Sequence, residues 1–183
     1  MYDRGEKAYK FKFARLFVAV AALLLGLVAA GAAYYFCPTP TIPAGETVTK
    51  IVVEKGRRRL SAMNGDKVLV SYVVSLRREP KGPKQCQGDN RTPEGTYLLG
   101  AVNSASLFHR SLPVSYPSAK DHCPDGRGSG GDIMVHGVPN RYPWLRRFHR
   151  FVDWTQNCIA LTNEKIDKLT QVVRPGTPIE IRP

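Results

Sequence analysis

The chain has 183 residues, 43% of them hydrophobic, and a formal charge of +12 at pH 7; that length holds one N-terminal element and one domain of roughly 135 residues with a single core, and excludes a second folded domain. Five Lys or Arg against two acids in the first 15 residues supply +3 of that charge, so the remainder still stands at +9 and favours an anionic partner. Nucleic acid is disfavoured, because the sequence has no zinc-finger spacing, recognition-helix pattern or RNP-like aromatic run.

Residues 1–15 form a basic stretch, with Arg4, Lys7, Lys10, Lys12 and Arg15. Residues 16–36 read LFVAVAALLLGLVAAGAAYYF, 21 positions without a charge, which at about 1.5 Å per residue crosses a hydrocarbon core of roughly 30 Å. The next Lys or Arg is Lys50. This asymmetry predicts a cytoplasmic N-terminus and an exported domain, the segment being a transmembrane anchor or, if cut near Ala30-Gly31-Ala32, a signal segment. Residues 37–47 are a proline-stiffened spacer.

From residue 48 to 183 the pattern is mainly β. Val48 to Val53 and Lys67 to Leu76 are rich in Val, Ile and Tyr, and Gly65-Asp66 reads as the turn of a hairpin. Thr96 to Val102, Asp132 to His136 and Ile179 to Ile181 are further strand candidates. Asn163 to Val173 is the one helix expected after Cys158, capped by Thr162 or Asn163, with Ile166, Leu169, Val172 and Val173 on its core face.

Two residues 22 positions apart carry the chemistry, His136 in IMVHGVPNRYPW and Cys158 in DWTQNCIALTN. A cysteine attacks a carbonyl only as thiolate, so it needs a proton acceptor close in space, and a histidine supplies one. Export implies an oxidising compartment, in which Cys158 must stay free and Cys37 sits at the membrane boundary. Cys86 and Cys123, both in loops, are a candidate disulfide. With no CxxC pair and no HExxH helix, no metal is expected.

GGDIMVHG, DWTQNCIALTNEKIDKL and PGTPIEIRP, in that order, resemble the catalytic half of the YkuD-type L,D-transpeptidase family, whose signature is HG, a spacer and S/T-x-G-C-I-x-L. GPKQCQGDNRTPEGTYLLG is similar to the GPK…GD-x-TP-x-G-x-Y block of Gram-negative members. The sequence departs from the motif at Asn157, where the family has Gly, and at Ala160, where many relatives have Arg. Asn is the side-chain-bearing residue that best tolerates the left-handed region, so it suits a turn there but crowds substrate.

The resemblance implies a β-rich α+β fold, a sandwich or barrel with a short helix after the nucleophile, and no cofactor. It implies Cys158 as nucleophile, His136 as base, the Gly137 carbonyl as the group that aims the imidazole, and backbone N–H groups at Asn157 and Cys158 as oxyanion donors. Thr155 occupies the motif's S/T position as a loop-fixing hydrogen bonder. Trp154, Tyr142 and Arg141 are expected to meet substrate, with Arg127, Arg146 and Arg147 near the mouth, although the run Arg146-Arg147 reads first as a solvated face; His149 reads first as lying away from the site. The implied partner is the peptidoglycan stem peptide, and the implied product a 3-3 cross-link or a protein joined to the wall. A hydrolase of the same fold and a non-catalytic wall-binding module are the alternatives.

Overall fold

A computed structural model describes residues 3–77, 81–151 and 153–183, and divides them at Pro38 into two units. Residues 1 and 2 of the basic N-terminal stretch lie outside the described residues, as do the side chains of Arg4 and Lys7. The first unit is one helix, α1 (Asp3–Phe36). Its stretch Lys12–Phe36, 25 residues, is long and apolar enough to cross a membrane by length and composition, and Leu23, Leu24, Leu25 and Leu27 along it are exposed.

The second unit, Thr39–Pro183, is built on two sheets. The larger contains β1 (Lys50–Glu54), β2 (Arg59–Asn64), β3 (Lys67–Val73), β4 (Gly95–Leu98) and β8 (Pro178–Arg182), in the order β3-β2-β1-β8-β4. β1, β2 and β3 run as antiparallel hairpins, β8 lies parallel to β1, and β4 is antiparallel to β8. Gly65, at φ 56°, takes the turn between Asn64 and Lys67 that closes the β2–β3 hairpin, a positive φ that glycine adopts without a Cβ clash. One extra residue is then absorbed in a bulge beside Ala62 and Met63.

The smaller sheet has the order β5 (Ser111–Pro113), β6 (Met134–His136), β7 (Ile159–Ala160). Bridges join its two outer strands to the larger sheet: Ser75, just past β3, pairs with Ala160 in β7, and Leu99, just past β4, pairs with Val114, just past β5. Each bridge is a single residue pair, so the two sheets are stitched at these points. The result is the expected sheet-rich α+β architecture.

Alternation of apolar residues fills the space between the sheets. Ile51, Val53, Leu60, Ala62 and Tyr72 from the larger sheet meet Leu112, Val135 and Ile159 from the smaller one. The helix α2 (Asn163–Val172) covers one end with Ile166 and Leu169, both fully buried, and Val173 at its C-cap. Thr162 stands at its N-cap but makes no capping hydrogen bond, a departure from expectation. The Asn163 side chain does not cap either: its Oδ1 accepts the backbone N–H of Val138 at 2.9 Å, tying the helix start to the segment after β6. Lys55, 1% exposed, donates to Gly82 O, Thr92 O and Glu94 Oε1, and so pins the irregular segment 82–94 to the larger sheet.

Candidate active site

β6 and β7 form the floor of the site. They run parallel with Val135 opposite Ile159 and His136 opposite Ala160, and Leu161 N–H donates to His136 O at 2.8 Å. This register sets His136 beside Ala160, and Cys158 lies in the bend immediately before β7. Val135 and Ile159 are buried in the core.

His136 is 3% exposed, and its Nδ1 lies 2.6 Å from the carbonyl oxygen of Gly137. A carbonyl only accepts, so Nδ1 carries the proton and Nε2 is left as the basic nitrogen. Burial holds the imidazole below its usual pKa, opposed by the Gly137 hydrogen bond. The rings of Phe108, at 4.5 Å, and Trp154, at 5.8 Å, wall it in. Gly137 has no room for a side chain: a Cβ there would stand 2.6 Å from Asn163 Oδ1 and 2.9 Å from Phe108 O. The glycine thus admits the close packing that fixes the carbonyl aiming the imidazole.

Cys158 is free, and its thiol donates to Asp132 O at 3.4 Å. Burial raises its pKa, the backbone N–H groups of Met134 and Asn157 oppose the rise, and the Asp132 charge adds to it. A raised thiol beside a lowered imidazole makes the resting pair neutral. Thr155 Oγ1 donates to Cys158 O at 2.8 Å and fixes the loop that presents the thiol. Asn157 is not among the residues with positive φ, so its tolerance of the left-handed region is unused. Its Oδ1 is buried without a hydrogen-bond partner.

A cavity of about 330 Å³ opens beside the thiol, lined by Lys84, Gln87, Asn90, Asp132, Gln156 and Asn157, with glycines 88, 130 and 131 and Cys158 itself. Two irregular segments form its rim. The disulfide between Cys86 and Cys123, with Cα atoms 4.8 Å apart, staples one to the other. The Asp89 carboxylate gathers the first segment by accepting from the backbone N–H groups of Gln85, Cys86 and Arg91. Lys84 Nζ is spent on Cys86 O at 2.8 Å and Asp89 Oδ1 at 2.9 Å. Gly130, at φ 75°, lets the second segment approach within 3.2 Å of Gln87 Cα, counted from where its Cβ would stand.

The basic mouth anticipated from sequence lies elsewhere. None of Arg127, Arg141, Arg146 and Arg147 lines the cavity: Arg127 pairs with Asp125, Arg146 with Glu164, and Arg147 is buried with Thr39 as a partner. Arg141 lies against the ring of Tyr142, which meets Trp144 edge-on, and neither Arg141 nor Tyr142 lines the cavity. Trp154 stands between His136 and a second buried imidazole, His149, whose ring is 6.3 Å away. Burial first, then the charge of Lys165, pushes His149 down to about 3. Lys84, Gln87, Asn90 and Asp132 went unread as site residues. The GPKQCQGDN block contained three of them, but turns carry no periodicity that marks which side chains face inward.

Among the described residues, the one cluster with metal-ligating atoms close together is Cys86, Cys123 and Asp125, and its two sulfurs are already bonded to each other.

The L,D-transpeptidase catalytic domain family named YkuD matches residues 49–181. YafK of Escherichia coli K12 is 27% identical over 126 residues, covering 63% of this chain and 44% of YafK. Among solved structures, the helical cell shape determining protein Pgp2 of Campylobacter jejuni superposes with a TM-score of 0.57 at 22% identity, over 81% of this chain and 52% of Pgp2. Bd1075 of Bdellovibrio bacteriovorus gives 0.50 at 22% identity, over 77% and 49%. The chain thus spans about half the length of these relatives. The matched residues include the strands, the histidine and the cysteine described above, and the chain belongs to the YkuD L,D-transpeptidase catalytic domain family.

Proposed function

We propose that the protein is a cysteine-dependent L,D-transpeptidase that acts on peptidoglycan stem peptides outside the cytoplasmic membrane, to which α1 anchors it. The observation that supports this reading is the parallel pairing of β6, which carries His136 with its Nδ1 on Gly137 O, with β7, which the free Cys158 immediately precedes.

In the proposed reaction Cys158 Sγ attacks the amide carbonyl between the diamino-acid residue and the terminal D-Ala of a tetrapeptide stem. Because the resting pair is neutral, the thiol proton moves to His136 Nε2 as the S–C bond forms. The oxyanion lies against backbone N–H groups of the Asn157–Cys158 turn, a contact worth about 3 kcal/mol in comparable sites. The C–N bond then breaks, His136 returns the proton to the departing amine, and a thioester remains. An acceptor amine resolves the thioester into a cross-link or a wall-attached protein. Pgp2 is described as determining helical cell shape; a wall cross-linking activity in this chain has the same kind of consequence.

The test is mass spectrometry of tetrapeptide muropeptides incubated with the full chain in detergent, with Cys158→Ala in parallel. Dimers made only by the wild type are expected. Release of D-Ala without dimers indicates a hydrolase of the same fold, and unchanged muropeptides indicate a wall-binding module.

A further inference from the structure

Every described side-chain carboxylate of the second unit except one is engaged. Asp153 is held by Arg58, Asp167 by His109 and Arg110, and Asp121 by Tyr97 and Ser118; the others pair with a nearby Lys or Arg. Asp132 alone, among these described residues, has neither an ion pair nor a hydrogen bond on its carboxylate, in a chain with 27 Lys and Arg against 15 acids. Its side chain is exposed and lines the cavity at Cys158. Its backbone is at φ 57°, uncommon for a residue with a side chain, and in that conformation its own carbonyl accepts the thiol proton.

The cavity's other ionic group does not compensate this charge. The Lys84 side chain is 1% exposed, and its ammonium is occupied by Cys86 O and Asp89. Gln87, Asn90, Gln156 and Asn157 are neutral. Within a strongly basic unit, the space beside the thiol is therefore negative. A negative charge opposes thiolate formation at Cys158 and so does not activate the nucleophile; what it complements is a cation that arrives with substrate.

We propose that the Asp132 carboxylate docks the ammonium group of the acceptor, which makes Asp132 a specificity-determining residue for the amine-transfer half of the reaction; this rests on the reading of Cys158 as a nucleophile that is acylated. The docked ammonium loses one proton to solvent and attacks the thioester carbonyl. The new C–N bond forms as the C–S bond breaks, and a second proton passes from nitrogen through His136 to the departing sulfur, regenerating the thiol. One amine proton stays on the new amide.

The experiment uses the full chain in detergent, a tetrapeptide stem as donor and a tripeptide stem with a free side-chain amine as acceptor, with Asp132→Asn and Asp132→Gly. Both replacements accept a positive φ and remove the charge. The ratio of amine-transfer product to hydrolysed donor is read against acceptor concentration, with intact-protein mass for the acyl-enzyme. Expected is a fall in that ratio of about tenfold below acceptor saturation in both variants, the size of one charge-assisted hydrogen bond, through acceptor KM, while the acyl-enzyme still forms. An unchanged ratio, or equal loss of acylation and transfer, overturns the assignment. A wild type that acylates but never transfers to the amine overturns it and leaves the nucleophile standing. A wild type that forms no Cys158 acyl-enzyme overturns the underlying reading and this one with it.

Discussion

The floor and the rim of the site are held by different physics. On the floor, His136 belongs to, and Cys158 immediately precedes, a parallel strand pair in which Val135 and Ile159 are buried in the core; moving either strand by one residue would turn those apolar residues outward. On the rim, residues 84–90 and 123–132 contain no strand or helix. They are held by point contacts, chiefly the Cys86–Cys123 bond and the Asp89 carboxylate with its three backbone donors. The candidate pair is thus held by hydrophobic burial, which is collective. The cavity is shaped by individual bonds, each of which one substitution removes.

The largest effect is expected on the floor. His136→Ala takes away the proton acceptor, so acylation of Cys158 by a stem peptide or a carbapenem should slow by about 10² to 10⁴ near neutral pH. The rate should recover partly at alkaline pH, where the raised thiol ionises by itself. Intact-protein mass against time measures both. Equal rates in wild type and variant would show that the imidazole does not serve the thiol.

A rim substitution should leave the thiol working and the cavity loose. Replacing Cys86 and Cys123 together by Ser opens a bond that spans 37 residues, and should cost roughly 3 to 4 kcal/mol of stability. Labelling of Cys158 by a small alkylating probe should change less than threefold, whereas KM for a stem peptide should rise several-fold. A parallel loss of both would mean that the rim supports the floor, and the contrast between them would fail.

The same contrast governs what could be read from residues alone. Strands and α2 announce themselves by apolar periodicity, so the boundaries Lys67–Val73, Asn163–Val172 and Pro178–Arg182 fall within a few residues of those expected. His136 and Cys158 sit in contiguous motifs, which is why residues alone nominate them as a candidate pair. The positions of Arg146 and Arg147 were not legible, because a guanidinium's partner depends on which distant acceptor the fold delivers: the Glu164 carboxylate for Arg146, the Thr39 hydroxyl for Arg147. The broken 3-10 segment Pro143–Phe151, interrupted at Arg146, also escaped, since Pro-Trp-Leu-Arg-Arg-Phe has no clean period. Asp132 looked like the start of a strand; the structure puts it in the loop before β6, with positive φ.

Beneath the floor, α2 buries a cation that periodicity assigned to neither face. Lys165 is 4% exposed, donates to Val73 O at 3.3 Å and stands over the Tyr72 ring. Burial, helped by Arg150 and Arg147, pushes it down to about 7. Between that value and its unfolded value near 10.5 the unfolded chain binds a proton that the native state does not, so stability rises with pH through this window and is lost as pH falls toward 7. Tyr72 and Tyr116, both raised to about 12 by burial, reverse the trend above pH 10. Thermal melts should therefore show a gain of roughly 3 kcal/mol from pH 7 to about 9.5, and Lys165→Met should flatten it. A variant that keeps the slope would place its origin in another group.

The smallest effect belongs to the seam where floor meets rim. Asn157 lines the cavity while its neighbour Cys158 leads into β7, and its Oδ1 is buried with no partner. Leaving such an acceptor unpaired costs about 1 to 3 kcal/mol, and Asn157→Gly removes that cost. Against it, glycine brings extra backbone freedom to the unfolded chain, about 0.5 to 1 kcal/mol, with no positive φ to be relieved. The second offsets only part of the first, so the free energy of unfolding should rise by at most about 2 kcal/mol. Activity should respond more clearly. With the side chain gone the space beside the thiol enlarges, and acylation by stem peptides should quicken several-fold while alkylation by a small probe stays level. If both rates rise together, the asparagine acts on the thiol itself; if neither changes, its side chain does not crowd the donor, and the motif's glycine answers to something other than close approach.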